Sequence, residues 1–565
     1  MEVNNKRKLI VCIIAVLLIL FIALFVKSCS KLIDDPRKGE KEALLYNDDE
    51  LGDEDKLLVN GASVGRQTNK DKFGVQEFLR LGGVTIDNYY RQKDVSFGMV
   101  ASGITEGDEA CGIITYRGNS LRQGAVYGAA EIEKAAFSST WSVKIGQSSN
   151  DLSGVQHTGQ PLIVQWNDDM RSMLKISESK KKKSDLTEII YAGTDGKIYF
   201  MDLDDGTYTR NPIDLETTIT GTGTISSTSV PLYVIGGNTS STASAEIYIV
   251  DLIKGEVIYS FGSSQSFNED TLKAEYGFSA AALFSDAADC LISQGENGII
   301  YSLTVRASNA SGSIDAAFSS ELEYTYSLST QSENGLVTTN GASQAAWGDY
   351  IYSVDSSGTL NCIDVNNWQM IWMRKLGECV DATPVIEADK DAGTAYIYIG
   401  TALSLENGKS NSGKIYLYKL NAANGNIIWQ QEYDARVTGK TDGGSLSSCV
   451  VGKDGLSDYV YFLLAGTDSK KSGTLVCLNK TYGNEEYTVA MKHYSISNPE
   501  AVYGTNGEGY IVLCDISGNL FMLDGKSGEV KDTRSTGEKI TGSPAIFNDM
   551  LVVSTESRIY GIKLD

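Results

Sequence analysis

Residues 349–377 read DYIYSVDSSGTLNCIDVNNWQMIWMRKLG. YIYSV, TLNCID and QMIW are short runs rich in alternating apolar residues, the pattern of strands whose successive side chains point to opposite faces. Small polar turns separate them. Gly358 sits in the first turn, where a hairpin needs backbone angles that glycine adopts without steric cost. A further apolar run, TPVIE at 383–387, follows and begins the next unit.

The same order of strand, glycine turn, strand, turn, strand recurs along the chain. It appears as IIYAGTDGKIYFMDLDDGTYT (189–209), as PLYVIGG (231–237) with AEIYIVDLIKGEVIYSFG (245–262), and as CLISQGENGIIYSLTV (290–305). It returns in AYIYIG to QQEY (395–433), DYVYFLL to AMKH (458–493), GYIVLCDISGNLFMLDGKSGEVKD (509–532) and DMLVVSTESRIYGIKLD (549–565). Gly196, Gly298, Gly413, Gly473 and Gly518 take the place of Gly358. Four antiparallel strands repeated at such spacing predict β-propeller blades, because one blade buries its faces only against its neighbours. The expectation is an all-β, eight-bladed β-propeller of four-stranded antiparallel blades over 135–565. The strand around Trp141, in AAFSSTWSVKIG (135–146), completes the C-terminal sheet and clasps the ring. A seven-bladed ring is the alternative if the divergent copy around 278–328 is miscounted.

Composition agrees with this reading. The 565 residues include 57 Gly, 30 Tyr and only 7 Pro, which suits aromatic strands joined by glycine turns. The net charge of −23 repels phosphate backbones and argues against nucleic-acid partners. Nine cysteines are scattered, without CxxC spacing: Cys12 and Cys29 near the N-terminus, then Cys111, Cys290, Cys362, Cys379, Cys449, Cys477 and Cys514. Most lie in apolar runs as small hydrophobes, and no disulfide framework, zinc site or covalent haem site is indicated.

LIVCIIAVLLILFIALFV at 9–26 is uncharged and long enough to span a bilayer, with Lys6, Arg7 and Lys8 before it. We expect a cytoplasmic tail (1–8), an uncleaved transmembrane anchor (9–26) and a flexible, highly charged stalk (27–70). A pre-propeller segment (71–134), including a short helix plus strand within 71–110, then leads to the propeller. A cleaved signal peptide is the alternative, but no small-x-small site follows the run. A lipoprotein reading of Cys29 meets Lys27 where a small residue belongs. The bulk of the chain is thus expected outside the cytoplasm, held to the cell membrane by a single pass.

YLYKLNAANGNIIW (416–429), NCIDVNNWQMIW (361–372), FMLDGKSGEV (521–530) and the lead-in CGIITYRGNSLRQGAVYG (111–128) resemble the quinoprotein-dehydrogenase-like (PQQ-like) propeller repeat. This pattern is also seen in non-enzymatic assembly lipoproteins of the BamB type. In the family's enzymes the resemblance implies pyrroloquinoline quinone on the propeller axis, stacked between a Trp and a disulfide of adjacent cysteines, with calcium and a catalytic Asp. This chain has no Cys-Cys pair. Trp141, Trp372 and Trp429 fall at last-strand positions that pack between blades, whereas Trp166 and Trp347 lie near inner runs, where one of them can face the channel. No cofactor and no catalytic residue are assigned.

Other motifs carry little chemistry. DLDDGTY (202–208) begins like a calcium loop, but Ile213 stands where a bidentate Glu is required, so a turn is expected. His157 and His493 are the only histidines and lack further metal ligands. There is no GxSxG elbow and no phosphate loop. SESKKKKSD (177–185) reads as a solvated basic loop, with an anionic polymer or lipid head group as the alternative partner. The connections into the inner strands (HTGQP, TGTGTISSTSVP, GECVDATP, TGKTDGGS, SISNPE and TGEKITGSP) are expected to gather at one channel mouth. They bring Asp381, Lys440, Asp442, Glu500, Glu538 and Lys539 to a possible binding rim. The expected function is a scaffold or protein-binding module in a cell-envelope assembly, with envelope or surface proteins and cell-wall glycan as partners. The alternatives are a quinone-dependent dehydrogenase and a glycan-binding sensor or adhesin.

Overall fold

The computed structural model describes residues 75–89, 91, 95–97, 110–146 and 159–565, less 227–229, 239–244, 263–276, 286–288, 311–312, 329–338, 340, 378, 390–391, 405–410 and 439–441. It adds two short strands, Arg37–Lys38 and Leu44–Leu45. The described chain is an all-β propeller of four-stranded antiparallel sheets. The stretch at 349–377 supplies three strands of one of them: Tyr350–Val354, Thr359–Asp364 and Gln369–Lys375, preceded by Ala345–Trp347. We call this sheet 4 and number the others in chain order.

Sheets 1 to 7 are blades that each take four strands from consecutive chain, so the blades number seven, the alternative count, and not the expected eight. A composite sheet 8 joins the ends: Ala545–Phe547, Met550–Ser554 and Arg558–Leu564 are completed by Phe137–Lys144, which pairs antiparallel to the last strand with Gly561 opposite Trp141. This is the clasp that the Trp-bearing strand predicts.

The packing that joins sheets is written into the repeat. The indole N–H of Trp372 donates to the Ala422 carbonyl of sheet 5, that of Trp429 to Lys480 of sheet 6, and that of Trp141 to Leu203 of sheet 1. The receiving turn must be bare. A Cβ on Gly425 (φ +71°) would lie 2.6 Å from the Trp372 ring, and one on Gly206 (φ +72°) 2.5 Å from Trp141. At the joints of sheet 4 with 5 and of sheet 8 with 1, one sheet thus offers a tryptophan and the next a glycine. Buried side chains form one core through sheets 1, 2 and 3. Further cores join sheets 3 and 4, 4 and 5, 5 and 6, 6 and 7, 7 and 8, and finally 8 and 1. Sheets 2 to 8 also slip register between their last two strands. Such bulges add local twist, which lets face-to-face sheets splay like blades.

The segment before the ring does more than lead into it. Val75–Leu81 and Val84–Ile86 extend the outer edge of sheet 3, and Ala110–Ile113 pairs with the first strand of sheet 1. The strand expected in 71–110 is there; no helix occurs among its described residues. Within the expected stalk, Arg37–Lys38 and Leu44–Leu45 pair with the outer strands of sheets 6 and 5. The apolar run 9–26 lies outside the described residues, and no described helix is long and apolar enough to cross a membrane. The expected inward-facing tryptophan is corrected: Trp166 and Trp347 are both buried within inter-sheet cores. The channel holds something else.

Candidate functional site: a filled axis

The first strand of a propeller sheet has a free inner edge, whose N–H and C=O groups need partners. One segment, residues 114–127, meets all of these edges. Its carbonyls accept from the first strands: Ile114 from Ile225 N–H of sheet 2, Ser120 from Ala346 of sheet 4, Leu121 from Ile386 of sheet 5, Ala125 from Ile546 of sheet 8. Two arginines cover the rest, both fully buried and both with left-handed backbone (Arg117 φ 52°, Arg122 φ 60°). Such angles cost a non-glycine residue about 1 kcal/mol or more, which the contacts of the side chains offset.

Arg122 spends its donors on carbonyl and hydroxyl oxygens. Nε donates to Gln344 O (2.8 Å), Nη1 to Thr115 Oγ1 (2.9 Å) and Tyr116 O (2.8 Å), and Nη2 to Ala281 O (3.2 Å) and Ala282 O (3.4 Å). It thereby ties sheets 3 and 4 to the axis. Burial lowers its pKa to about 9, so it remains charged at neutral pH. Arg117 donates to Cys449 O of sheet 6 and to Arg122 O, and faces Glu500 of sheet 7 at 3.5 Å. The Glu500 carboxylate also accepts from Ala125 N–H at 2.9 Å. Gln160 of sheet 1 accepts from Arg117 N–H at 3.0 Å. Segment 114–127 therefore bonds to all eight sheets, which only a position on the axis permits.

A polar belt surrounds it. At the start of successive first strands, a backbone N–H donates to the side-chain oxygen of the next sheet. The steps are Gln160 to Thr222 (2.8 Å), Ala281 to Ser343 (2.9 Å), Ser343 to Thr383 (2.9 Å), Thr383 to Ser448 (3.1 Å), Ser448 to Asn498 (2.9 Å) and Asn498 to Ser543 (3.1 Å). The hydroxyl or amide residues before Pro161, Pro384, Pro499 and Pro544 are its visible trace in the sequence.

The six rim candidates do not form one surface. Glu500 is fully buried on the axis. Lys440 lies outside the described residues. Glu538 is half-buried, accepts from Thr555 Oγ1 (2.6 Å) and Ser557 Oγ (2.7 Å), and is held below its ordinary pKa chiefly by the Thr555 hydrogen bond; Lys539 is exposed near Glu556. Asp381 and Asp442 do come together. With Cys379, their ligand atoms lie within 4.8 Å of one another, and the thiol donates to Asp442. These are the described residues best placed to hold a cation, with three donors.

The two charged motifs neutralise each other. Lys180 Nζ meets Asp202 at 2.6 Å, and Lys183 Nζ meets Asp202 at 2.7 Å and Asp204 at 2.6 Å. Lysine ammonium groups thus occupy the place a calcium ion would take in DLDDGTY, and much of the SESKKKKSD charge is spent there. His157 lies outside the described residues, and His493 is a half-buried loop residue. Arg117 and Arg122 were absent from the sequence-derived candidates. Their signal is two arginines five residues apart in RGNSLR, ahead of the first repeat and without nearby carboxylates.

Comparison with known proteins agrees with this architecture. A family model described as outer membrane protein assembly factor BamB matches residues 319–563. The match covers less than half of the chain, and over that span the repeat is similar to that of the BamB family. Among solved structures, the chain is similar in fold to a quinohemoprotein alcohol dehydrogenase of Pseudomonas putida HK5, with TM-score 0.51 and 8% identity over 80% of each chain. BamB from Moraxella catarrhalis matches with TM-score 0.44 and 17% identity, over 66% of this chain and 93% of that one. A europium-containing methanol dehydrogenase matches with TM-score 0.37 and 11% identity, over 80% and 98%. No curated protein matches the sequence.

Proposed function

We propose that this PQQ-like propeller is a membrane-tethered, extracytoplasmic protein-binding or scaffold module of a cell-envelope assembly. In this reading the composite sheet closes the ring, and the apolar run at 9–26 is its anchor. The observation that carries the binding reading is the filled axis. With 114–127 bonded to every inner strand, the propeller's contact surface is its loops and outer strands. Support for the outer strands is internal, because sheets 3, 5 and 6 already accept extended segments at those edges.

A quinone on the axis does not fit these residues. Arg117, Arg122 and their backbone occupy that place, no adjacent cysteine pair exists to stack on a ring, and Trp166 and Trp347 are packed between sheets. We therefore derive no oxidation step and rank the dehydrogenase reading second. The glycan-adhesin reading has no specific residue in its favour.

The test is cross-linking and pull-down with the full-length chain in detergent. A reproducible envelope protein retained by the wild type, and lost when charged residues are placed on the outer strands of sheets 5 and 6, is the expected outcome. Retention only on wall polysaccharide sinks the scaffold reading. So does a bound-quinone spectrum after adding pyrroloquinoline quinone and calcium.

A further inference from the structure

Among the described residues, the axis carries two guanidinium groups and one carboxylate, all fully buried. Among the described residues, Glu500 is the carboxylate that meets either arginine, and it does so at 3.5 Å, long for a buried ion pair. Its other oxygen holds the Ala125 N–H. It thus fastens both ends of the plugging segment, at 117 and at 125, to the inner edge of sheet 7.

We propose that Glu500 is a proton-operated latch on the axial segment. The groups facing it are few. Arg117 and the Ala125 N–H come from the segment itself, and Tyr503 comes from the same strand. Cys514 comes from the neighbouring strand. Tyr503 and Cys514 are pushed up by burial and stay neutral, so among the described residues Arg117 is the charge that opposes protonation.

Burial outweighs that charge and raises the Glu500 pKa from 4.5 to about 7. The folded chain then binds this proton more tightly than the unfolded chain. The contribution of Glu500 to stability is fully present below pH 4.5 and is lost as pH rises through about 7. Above neutrality a buried carboxylate must be held by one long ion pair and the Ala125 N–H. In mild acid a neutral carboxyl sits there, and the arginine keeps its carbonyl partners. The latch is tighter in acid.

The readout is hydrogen exchange of the amides in 114–127, measured on the full-length chain and corrected for intrinsic rates. The shift from 4.5 to about 7 gives about 30-fold more protection at pH 5.5 than at pH 8 in the wild type. Glu500→Gln keeps an oxygen for Ala125 and cannot titrate, so its protection stays flat across that range. Equal pH dependence in the two proteins overturns the proposal. If the variant does not fold, infrared spectra of the wild type decide. A protonated buried carboxyl band that disappears with a midpoint near neutrality is expected, and its absence at pH 5.5 overturns the latch. The outcome does not depend on the tether or on any partner.

Discussion

Replacing Trp141 by Ala tests the closure of the ring. The indole lies against Gly206 of sheet 1 and Gly561 of its own sheet, where an added Cβ would approach it to 2.5 and 2.2 Å, and it donates to Leu203 O at 2.9 Å. Truncating a packed tryptophan costs about 3–5 kcal/mol, of which the lost hydrogen bond is about 1. If the roughly 450 residues of the ring unfold together, the unfolding entropy is about 0.95 kcal/mol per kelvin, so a loss of about 4 kcal/mol lowers the melting temperature by about 4 °C. Trp372→Ala is the upper reference, because Trp372, fully buried where Trp141 is half-buried, makes the same hydrogen bond and glycine contact between sheets 4 and 5 inside continuous chain. Scanning fluorimetry of both variants and the wild type gives the comparison. Similar drops mean that the joint between chain ends carries load like any other. A Trp141 variant melting within about 1 °C of wild type, beside a Trp372 variant that falls by the amount above, refutes the closure.

Four further outcomes follow from single contacts. Gly425→Ala places a methyl 2.6 Å from Trp372 at φ +71° and is expected to destabilise by about 2–4 kcal/mol, whereas Gly393→Ala, at φ +65° with open space around it, loses only about 1; thermal melts separate them. Glu188→Ala leaves Arg210 buried without its carboxylate and strips the acceptor from Trp166 and Thr209, a loss of about 3–5 kcal/mol by denaturant titration. Asp202→Asn weakens two lysine contacts and costs about 1–3 kcal/mol, while added calcium leaves the wild-type melting temperature unchanged because Lys180 and Lys183 hold that carboxylate. Arg122→Lys folds much less stably than wild type, because a single ammonium cannot span acceptors on sheets 3 and 4; limited proteolysis within 114–127 reports it.

Much of this fold was legible because it is local and repeated. YIYSV, the Gly358 turn and TLNCID specify a hairpin with no help from distant residues, and Trp372 with Gly425 states how one sheet meets the next. Even the clasp was legible, since a Trp strand at 135–146 lacks a sheet of its own. The axis was not. Arg117 and Arg122 act through carbonyls as much as 332 residues away, and a carbonyl leaves no mark in a sequence. Glu500 looked like a loop carboxylate after Ser-Ile-Ser-Asn-Pro, and only the arrival of an arginine from 383 residues earlier makes it a core residue. The cancellation of SESKKKKSD by DLDDGTY failed for the same reason. Each motif was read alone, and the two are adjacent only because the flanking strands pair.

The filled axis also explains why a charged segment, rather than an apolar one, suits this place. Converging inner edges present a circle of unpaired N–H and C=O groups, and a leucine-lined plug would leave each of them unsatisfied at about 1–3 kcal/mol apiece. Water can satisfy such groups but cannot fix their spacing. An irregular chain with its own N–H and C=O groups can answer both kinds, and left-handed turns at 117 and 122 aim its carbonyls and side chains outward in several directions. Carbonyls of sheets 3, 4 and 6 are met by guanidinium donors, of which each arginine supplies five in a rigid fork. The cost is an excess of positive charge in a place without solvent. Glu500 of sheet 7 offsets half of it when ionised, and the convergent carbonyl dipoles around Arg122 hold the rest.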